Sequence, residues 1–404
     1  MKPNTRKLWI GHSAPVDYKQ VTTDFINTVD TRIASSFYNR YDEINFTDTP
    51  ISDFSRWPFV LDELFKISSG ETVFTLRFNV LSRTFGLPKF YKQIYDLADG
   101  QVEILSLVSD RISGVFTLSF KATRRKYDKS HGWSFGILWD GKSEENVLSF
   151  INSIHLCIKD KNDFELIICG PKPNFEIDIP FSLVETDDLT EKLANISRKK
   201  NLIAKSARYE NLCIVHNRYT LDDGFLKAFD DIEYDYDICI ARQLLAETGE
   251  RVPDWVSQAS DQKLVANYLL PYGDYSPFMY VPGGIVIVKR HILLDNPFNE
   301  LITWNMAEDV EWSQRLIAKS IIPRLISKAS VTVLSIRKEI LSDFKKPDIM
   351  NFYDNIDQFS THEMRRISNR SQLFGKILSI FKLAIRNPVL FFEKLKNKLR
   401  RQMN

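Results

Sequence analysis

Residues 280–316 read YVPGGIVIVKRHILLDNPFNELITWNMAEDVEWSQRL, and the reading of this stretch decides that of the chain. IVIV (285–288) is an unbroken β-branched run opened by Gly283 and Gly284, the pattern of a strand buried on both faces. A loop with Asn296-Pro297 follows, and a helix is predicted from near Met306. Two adjacent carboxylates, Glu308 and Asp309, fall at that helix start. An acidic first turn complements the helix dipole and needs no further role. Facing a glycine-opened strand end, the same pair is also placed to serve as a general base beside a bound hydroxyl.

Working outward, 404 residues leave room for two or three domains, because single cores rarely grow past about 250 residues. The hydrophobic fraction of 44% and charged fraction of 26% are those of an ordinary globular protein. A net charge of +2 carries no polyanion signature, so nucleic acid is not an expected partner. Cys157, Cys169, Cys213 and Cys239 are far apart, each in an apolar run, which fits buried reduced thiols. The N-terminus lacks a signal-peptide core, and nowhere do about 18 uncharged apolar residues run together, so a cytoplasmic location is expected.

Residues 1–125 read as a small α/β domain. LWIG (8–11) is a short strand, PFVLDELFKI (58–67) a helix with Pro58 in its first turn, and TVFTLRF (72–78) a strand after a break at 68–70. A helix over 87–97 and the strands VEILSLV and GVFTLSF follow. The segment LDELFKISSGETVFTLRF (61–78), with KLWIGHSAPVDYKQ (7–20), resembles part of a class I S-adenosylmethionine-dependent methyltransferase. Such enzymes hold the cofactor on a Gly-x-Gly loop; here only Gly11 remains, followed by His12. The resemblance therefore implies a truncated, non-catalytic domain with no S-adenosylmethionine bound. TRRKYDKSHG (123–132) reads as a solvated basic linker.

From Trp133 onward strands and helices alternate. SFGILWDG, FELIICG, FSLVETDD and NLCIVHN are strands, with helices over 145–158 and 189–207 between them. That order predicts a mostly parallel sheet with ligands at the carboxyl ends of its strands. A strand in 235–255, a polar helix after it and a last strand in ASVTVLSI (329–336) complete a domain over 133–340. Residues 341–404 read as a polar connector and a basic amphipathic helical tail. Lys376, Lys382, Arg386, Lys394, Lys396, Lys398, Arg400 and Arg401 oppose the single acid Glu393 along 373–404, and Pro388 splits the helix. Such a tail over 371–404 either lies on an anionic membrane surface or packs on protein.

Two long segments in order, ISRKKNLIAKSARYENLCIVHNRYTLDDGFL (196–226) and PGGIVIVKRHILLDNPFNELITWNMAEDVEWSQRL (282–316), resemble a family 2 glycosyltransferase of the GT-A fold. The resemblance implies an α/β nucleotide-diphospho-sugar transferase domain and inverting transfer from a nucleotide-sugar donor to a saccharide acceptor. A lipid-linked acceptor, surface polysaccharide synthesis and peripheral attachment to the inner face of a bacterial membrane would follow. A non-catalytic scaffold in a glycan-assembly complex is the alternative, and a homo-oligomer is open. By the same resemblance Asp309 is the base and Glu308 its support, while Gly283 and Gly284 let the acceptor approach the backbone.

The resemblance places Asp140, Glu185, Asp187, Arg198, Lys199, Asn201, His216, Asn217 and Arg218 around the donor. Capping of the next helix is an equally good account of Asp187. Trp304 and Trp312 flank the acidic pair as sugar platforms or as core. The family's fourth strand ends in a carboxylate triplet that holds manganese or magnesium; here His216-Asn217-Arg218 stands in its place. Either His216 ligates the cation, or Arg218 with Arg198, Lys199 and Lys200 neutralises the phosphates instead.

Overall fold

The computed structural model describes residues 6–82, 84–110, 113–158, 163–261, 264–337, 340–341 and 344–345. The expected tail over 371–404 lies outside them.

The first sheet contains β1 (Lys7–Ile10), β2 (Lys19–Val21), β3 (Tyr41–Phe46), β4 (Ser68–Asn79), β5 (Val102–Asp110) and β6 (Val115–Thr123). Four strands run parallel in the order β2-β1-β3-β4, and β6 then β5 close the sheet in antiparallel pairing. β4 starts directly at Ser68, so residues 68–70 are strand and not the expected break. Two helices cover this sheet, α1 (Trp57–Ile67) and α2 (Leu87–Leu97). Ten of the eleven residues of α1 are buried, the mark of a helix enclosed on every side. One face packs on its own sheet and the other on the rest of the protein, where Phe59 meets Trp255 and Tyr275 at ring distances of 6.1 and 5.3 Å.

The second sheet is built from β7 (Trp133–Leu138), β8 (Phe164–Cys169), β9 (Phe181–Val184), β10 (Asn211–His216), β11 (Tyr219–Leu221), β12 (Ile238–Leu245), β16 (Ile285–Lys289) and β17 (Arg324–Val333). A third, four-stranded sheet uses β13 (Val256–Asp261), β14 (Leu264–Leu269), β15 (Met279–Tyr280) and β18 (Phe344–Lys345). The helices between them are α3 (Glu144–Cys157), α4 (Asp188–Lys192), α5 (Ile196–Ser206), α6 (Phe225–Asp230), α7 (Arg290–Asp295) and α8 (Glu308–Ile317).

Strand order in the large sheet is β11-β17-β12-β16-β10-β7-β8-β9. All run one way except β16 and β11. The expected α/β class with a mostly parallel central sheet stands. β16 is buried at all five positions, as its apolar run requires, and sits between β10 and β12.

Three local expectations change. The polar helix expected after Trp255 is the hairpin β13–β14, whose register pairs Val256 with Leu269 and Asp261 with Leu264. Phe344 and Lys345, expected in the polar connector, form β18 alongside β14. The basic segment 123–132 is no free linker. Arg124 is bidentate to Asp235 at 2.7 and 2.5 Å, and Arg125 pairs with Asp237. All four cysteines are free thiols; burial pushes the half-buried Cys157 up to about 11.

Candidate active site

The site forms where β10 and β16 meet the start of α8. These strands are antiparallel, with Val215 opposite Ile285, and the His216 amide donates to the Gly284 carbonyl at 2.9 Å. That bond fixes the histidine at the end of β10 beside the glycine pair at the start of β16. The chain reaches α8 through Asn305 and Ala307, both in the left-handed region at φ 62° and 58°. Non-glycine residues adopt that conformation at a cost of about 1–2 kcal/mol each, so surrounding contacts must hold this turn.

The Gly283 amide, 2.8 Å from Asp309 Oδ2, supplies one such contact. Asp309 Oδ1 accepts from the Val310 amide at 2.9 Å. A Cβ on Gly283 would lie 2.6 Å from Glu308 Oε1 and 3.2 Å from Asp309 Oδ2; one on Gly284 would meet the Tyr219 hydroxyl at 2.2 Å. The glycines are therefore needed for the close approach of the protein's own carboxylates and tyrosine.

The two acids are in different situations. Glu308 is buried and paired with the wholly buried Lys200 at 2.9 Å. Asp309 has no cationic partner among the described residues and is half-buried on a cavity wall. Burial, then the Glu308 charge, raise its carboxyl to about 6, against the pull of Lys200 and the two amides. Such a group is still largely ionised at neutral pH, and is a stronger base than an ordinary aspartate.

The cavity has a volume of about 630 Å³, enough for a ligand of several rings. Of the residues that the sequence singled out, His216, Arg218, Gly283, Gly284, Trp304, Glu308 and Asp309 line it together. Trp304 is 55% exposed there, with the Arg337 guanidinium 5.4 Å from its ring. The lining also includes Tyr219, Gln243, Gln258, Asn267, Tyr280 and Phe344. The sequence reading missed these six, four of which come from the small sheet that it took for a helix and loops. The one available signal was the alternation in VSQASD and LVANYL.

Other expected site residues are engaged elsewhere. Trp312 is fully buried, stacked on Phe298 at 4.4 Å, with its indole N–H donating to the Asn296 carbonyl; it is core, not a sugar platform. The Asn201 amide clamps the 298–300 loop, accepting from the Phe298 amide and donating to the Phe298 carbonyl and to Glu300. Asp187 caps α4 through the Thr190 amide at 2.7 Å and pairs with Arg198, so the capping account holds for it. Lys199 is buried on Glu191 and the Trp139 carbonyl. Asp140 and Asn217 meet at 3.2 Å at the ends of β7 and β10, outside the cavity lining. Glu185 follows β9, three strands from β10, which at about 4.8 Å per strand is some 14 Å away.

A divalent cation does not fit the residues present. Among the described residues no group of three or more His, Cys, Asp or Glu side chains gathers as a ligand set. Burial, then Lys200, Arg218 and Lys199, hold the His216 imidazole far below its usual pKa. The field at the end of β10 is therefore positive, and it opposes a dication. Carboxylate oxygens, the donors magnesium and manganese prefer, are tied to Lys200, to backbone amides or to Asn217.

No protein-family model matches this sequence. No curated protein matches it either. Among solved structures the chain is similar to S. aureus TarS (residues 1–349), at 14% identity and TM-score 0.37 over 50% of this chain and 60% of that one. It is also similar to GalNAc-T7, whose structure was solved with UDP, GalNAc and Mn2+, at 10% identity and TM-score 0.38 over 51% of this chain and 44% of that one. The chain thus spans less than two thirds of the length of either.

Proposed function

We propose that this chain is an inverting glycosyltransferase that moves a sugar from a nucleotide-sugar donor to an acceptor hydroxyl, with Asp309 as the base. The observation that carries the reading is the Asp309 carboxylate itself. It is fixed by the Gly283 amide, raised to about 6, and shares one cavity with the His216–Arg218 end of β10. In the transfer Asp309 takes the acceptor hydroxyl proton as that oxygen attacks the anomeric carbon. The bond from that carbon to the diphosphate breaks on the opposite face, and the nucleoside diphosphate leaves with the bonding pair. Glu308, neutralised by Lys200, keeps the helix start in place, and Trp304 offers its ring to the acceptor sugar.

A saccharide acceptor, lipid-linked and part of surface polysaccharide synthesis, follows from the same reading. So does attachment of 371–404 to the cytoplasmic face of a membrane. Among the described residues no helix is long and apolar enough to cross one. Flotation with anionic vesicles should be lost when 371–404 is deleted, and unchanged flotation would rule that anchor out. For the first sheet we propose a non-catalytic role. Its β1 loop is closed internally, with Asp48 Oδ2 accepting from the His12 and Ser13 amides at 2.6 and 2.8 Å.

The absence of a carboxylate set at the end of β10 favours a second reading, a non-catalytic scaffold. Asp309→Asn separates the two when a panel of nucleotide sugars is offered with glycan acceptors. The enzyme reading expects donor binding within about twofold of the parent and transfer lowered by at least 10³-fold, the scale of losing a positioned base. Substantial turnover by a well-folded Asp309→Asn protein would sink it, and a parent chain silent to every donor favours the scaffold.

A further inference from the structure

Resting on the glycosyltransferase reading, the question the cavity leaves is what neutralises the diphosphate of the donor. Four basic side chains lie near the end of β10 in sequence or space, and three of them are committed. Arg198 pairs with Asp187 at 3.0 Å, Lys199 with Glu191 at 2.7 Å, and Lys200 with Glu308 at 2.9 Å. The fourth, Arg218, lines the cavity and makes no ion pair among the described residues; its Nε is buried without a hydrogen-bond partner.

His216, two residues earlier and also on the cavity wall, has a buried Nε2 with no partner. A buried polar atom without a partner costs about 1–3 kcal/mol, so two such atoms on one cavity wall ask for a ligand that serves both. A third basic group of the wall, Arg337, is exposed, and the contact described for its side chain is with the Trp304 ring.

We propose that Arg218 and His216 form the diphosphate seat, with Arg337 as a second cation, so that the protein supplies the positive charge and no divalent ion is required. A guanidinium fork meets two phosphate oxygens at once and stays charged throughout the working pH range. The neutral imidazole, carrying its proton on Nε2, donates a third hydrogen bond. As the anomeric bond breaks, charge accumulates on the departing diphosphate, where a fixed guanidinium stabilises it without reorganising.

The test is calorimetric titration of the full chain with inorganic pyrophosphate and with UDP, GDP, ADP and CDP, each in EDTA and in excess manganese or magnesium. We expect at least one nucleoside diphosphate to bind in EDTA within about twofold of its affinity with metal. Arg218→Gln should weaken it at least tenfold, and Arg218→Lys less. Diphosphate binding that appears only with manganese or magnesium overturns the seat while leaving the glycosyltransferase reading in place. That comparison uses the parent chain alone, so it decides even if Arg218→Gln does not fold. Binding by a folded Arg218→Gln equal to that of the parent overturns it as well. No diphosphate binding in any condition defeats the underlying reading itself.

Discussion

At the scale of the residue, the two adjacent acids divide one task because their surroundings differ. Lys200 neutralises Glu308, whereas Asp309 feels burial and the Glu308 charge and is raised to about 6. If Asp309 must be ionised to accept a proton, turnover should rise with pH through about 6 and level off above it. Glu308→Gln removes a negative neighbour and leaves Lys200 unpaired, and both effects favour the Asp309 anion. The rising limb should therefore move to lower pH in a kcat/KM profile, while the plateau falls as the loop loosens. A limb that stays near 6 in Glu308→Gln would mean that it does not report the acidic pair. The pair and its helix start were legible in the sequence, because an ED dipeptide before an apolar-spaced helix is a local signal. Which acid is paired was not, since Lys200 lies 108 positions away. Distance also hid the partner of Asn201, since Phe298 lies 97 positions away, while Trp312, open to either a platform or a core reading, is decided by a nearby loop whose packing no local pattern reveals.

At the scale of the element, β16 and α8 behave as one unit joined through Gly283. The sequence made β16 plain, four β-branched residues in a row before Lys289, and the structure places it deep in the sheet. It did not show the steric reason why two glycines open the strand, because that reason comes from α8 and β11. Gly283→Ala puts a methyl group 2.6 Å from Glu308 Oε1, so the helix start must retreat by several tenths of an ångström. The expected cost is about 1–3 kcal/mol, that of overpacking a fitted site, read as a lower urea midpoint. Transfer should fall much further than stability, because the Gly283 amide that orients Asp309 moves with the strand. A Gly283→Ala protein with full activity would show that this contact does not position the base. The hairpin β13–β14 has the opposite history. Its alternation was present but its polar composition suggested a helix, and the tertiary pairing of Val256 with Tyr280 and Leu269 settled the matter.

At the scale of the whole molecule, the two large sheets are bound together by buried charge. Arg324, at the start of β17, is 3% exposed. It pairs with Asp62 and with Glu63 at 3.1 Å on α1, and donates to the Asp30 and Thr31 carbonyls. None of this could be read from the chain, because the partners lie more than 260 positions apart and LDEL looks like an ordinary amphipathic helix. Against the burial that would raise them, Lys66 and Arg324 hold the Asp62 carboxyl, and Arg124 holds that of Asp235, below the usual carboxylate range. Carboxyls lowered by folding contribute stability that is complete above their unfolded values near 4 and is lost as pH falls through the lowered ones. The junction should therefore hold firmly at neutral pH and weaken in acid. Arg324→Met tests it at neutral pH. Removing Arg324 leaves Asp62 and Glu63 to share Lys66, at 3.1 and 3.3 Å, so the expected cost is up to about 3 kcal/mol, the low end for a buried pair that loses one partner. Urea unfolding followed by tryptophan fluorescence should show a lower midpoint of that size, and the double variant Arg324→Met/Asp62→Asn should recover part of it. Lys66 remains to balance Glu63 in that background, 3.3 Å away, so the recovery isolates Asp62. A midpoint unmoved by Arg324→Met would show that apolar contacts such as Phe59 on Trp255 and Tyr275, and not the charge network, join the sheets.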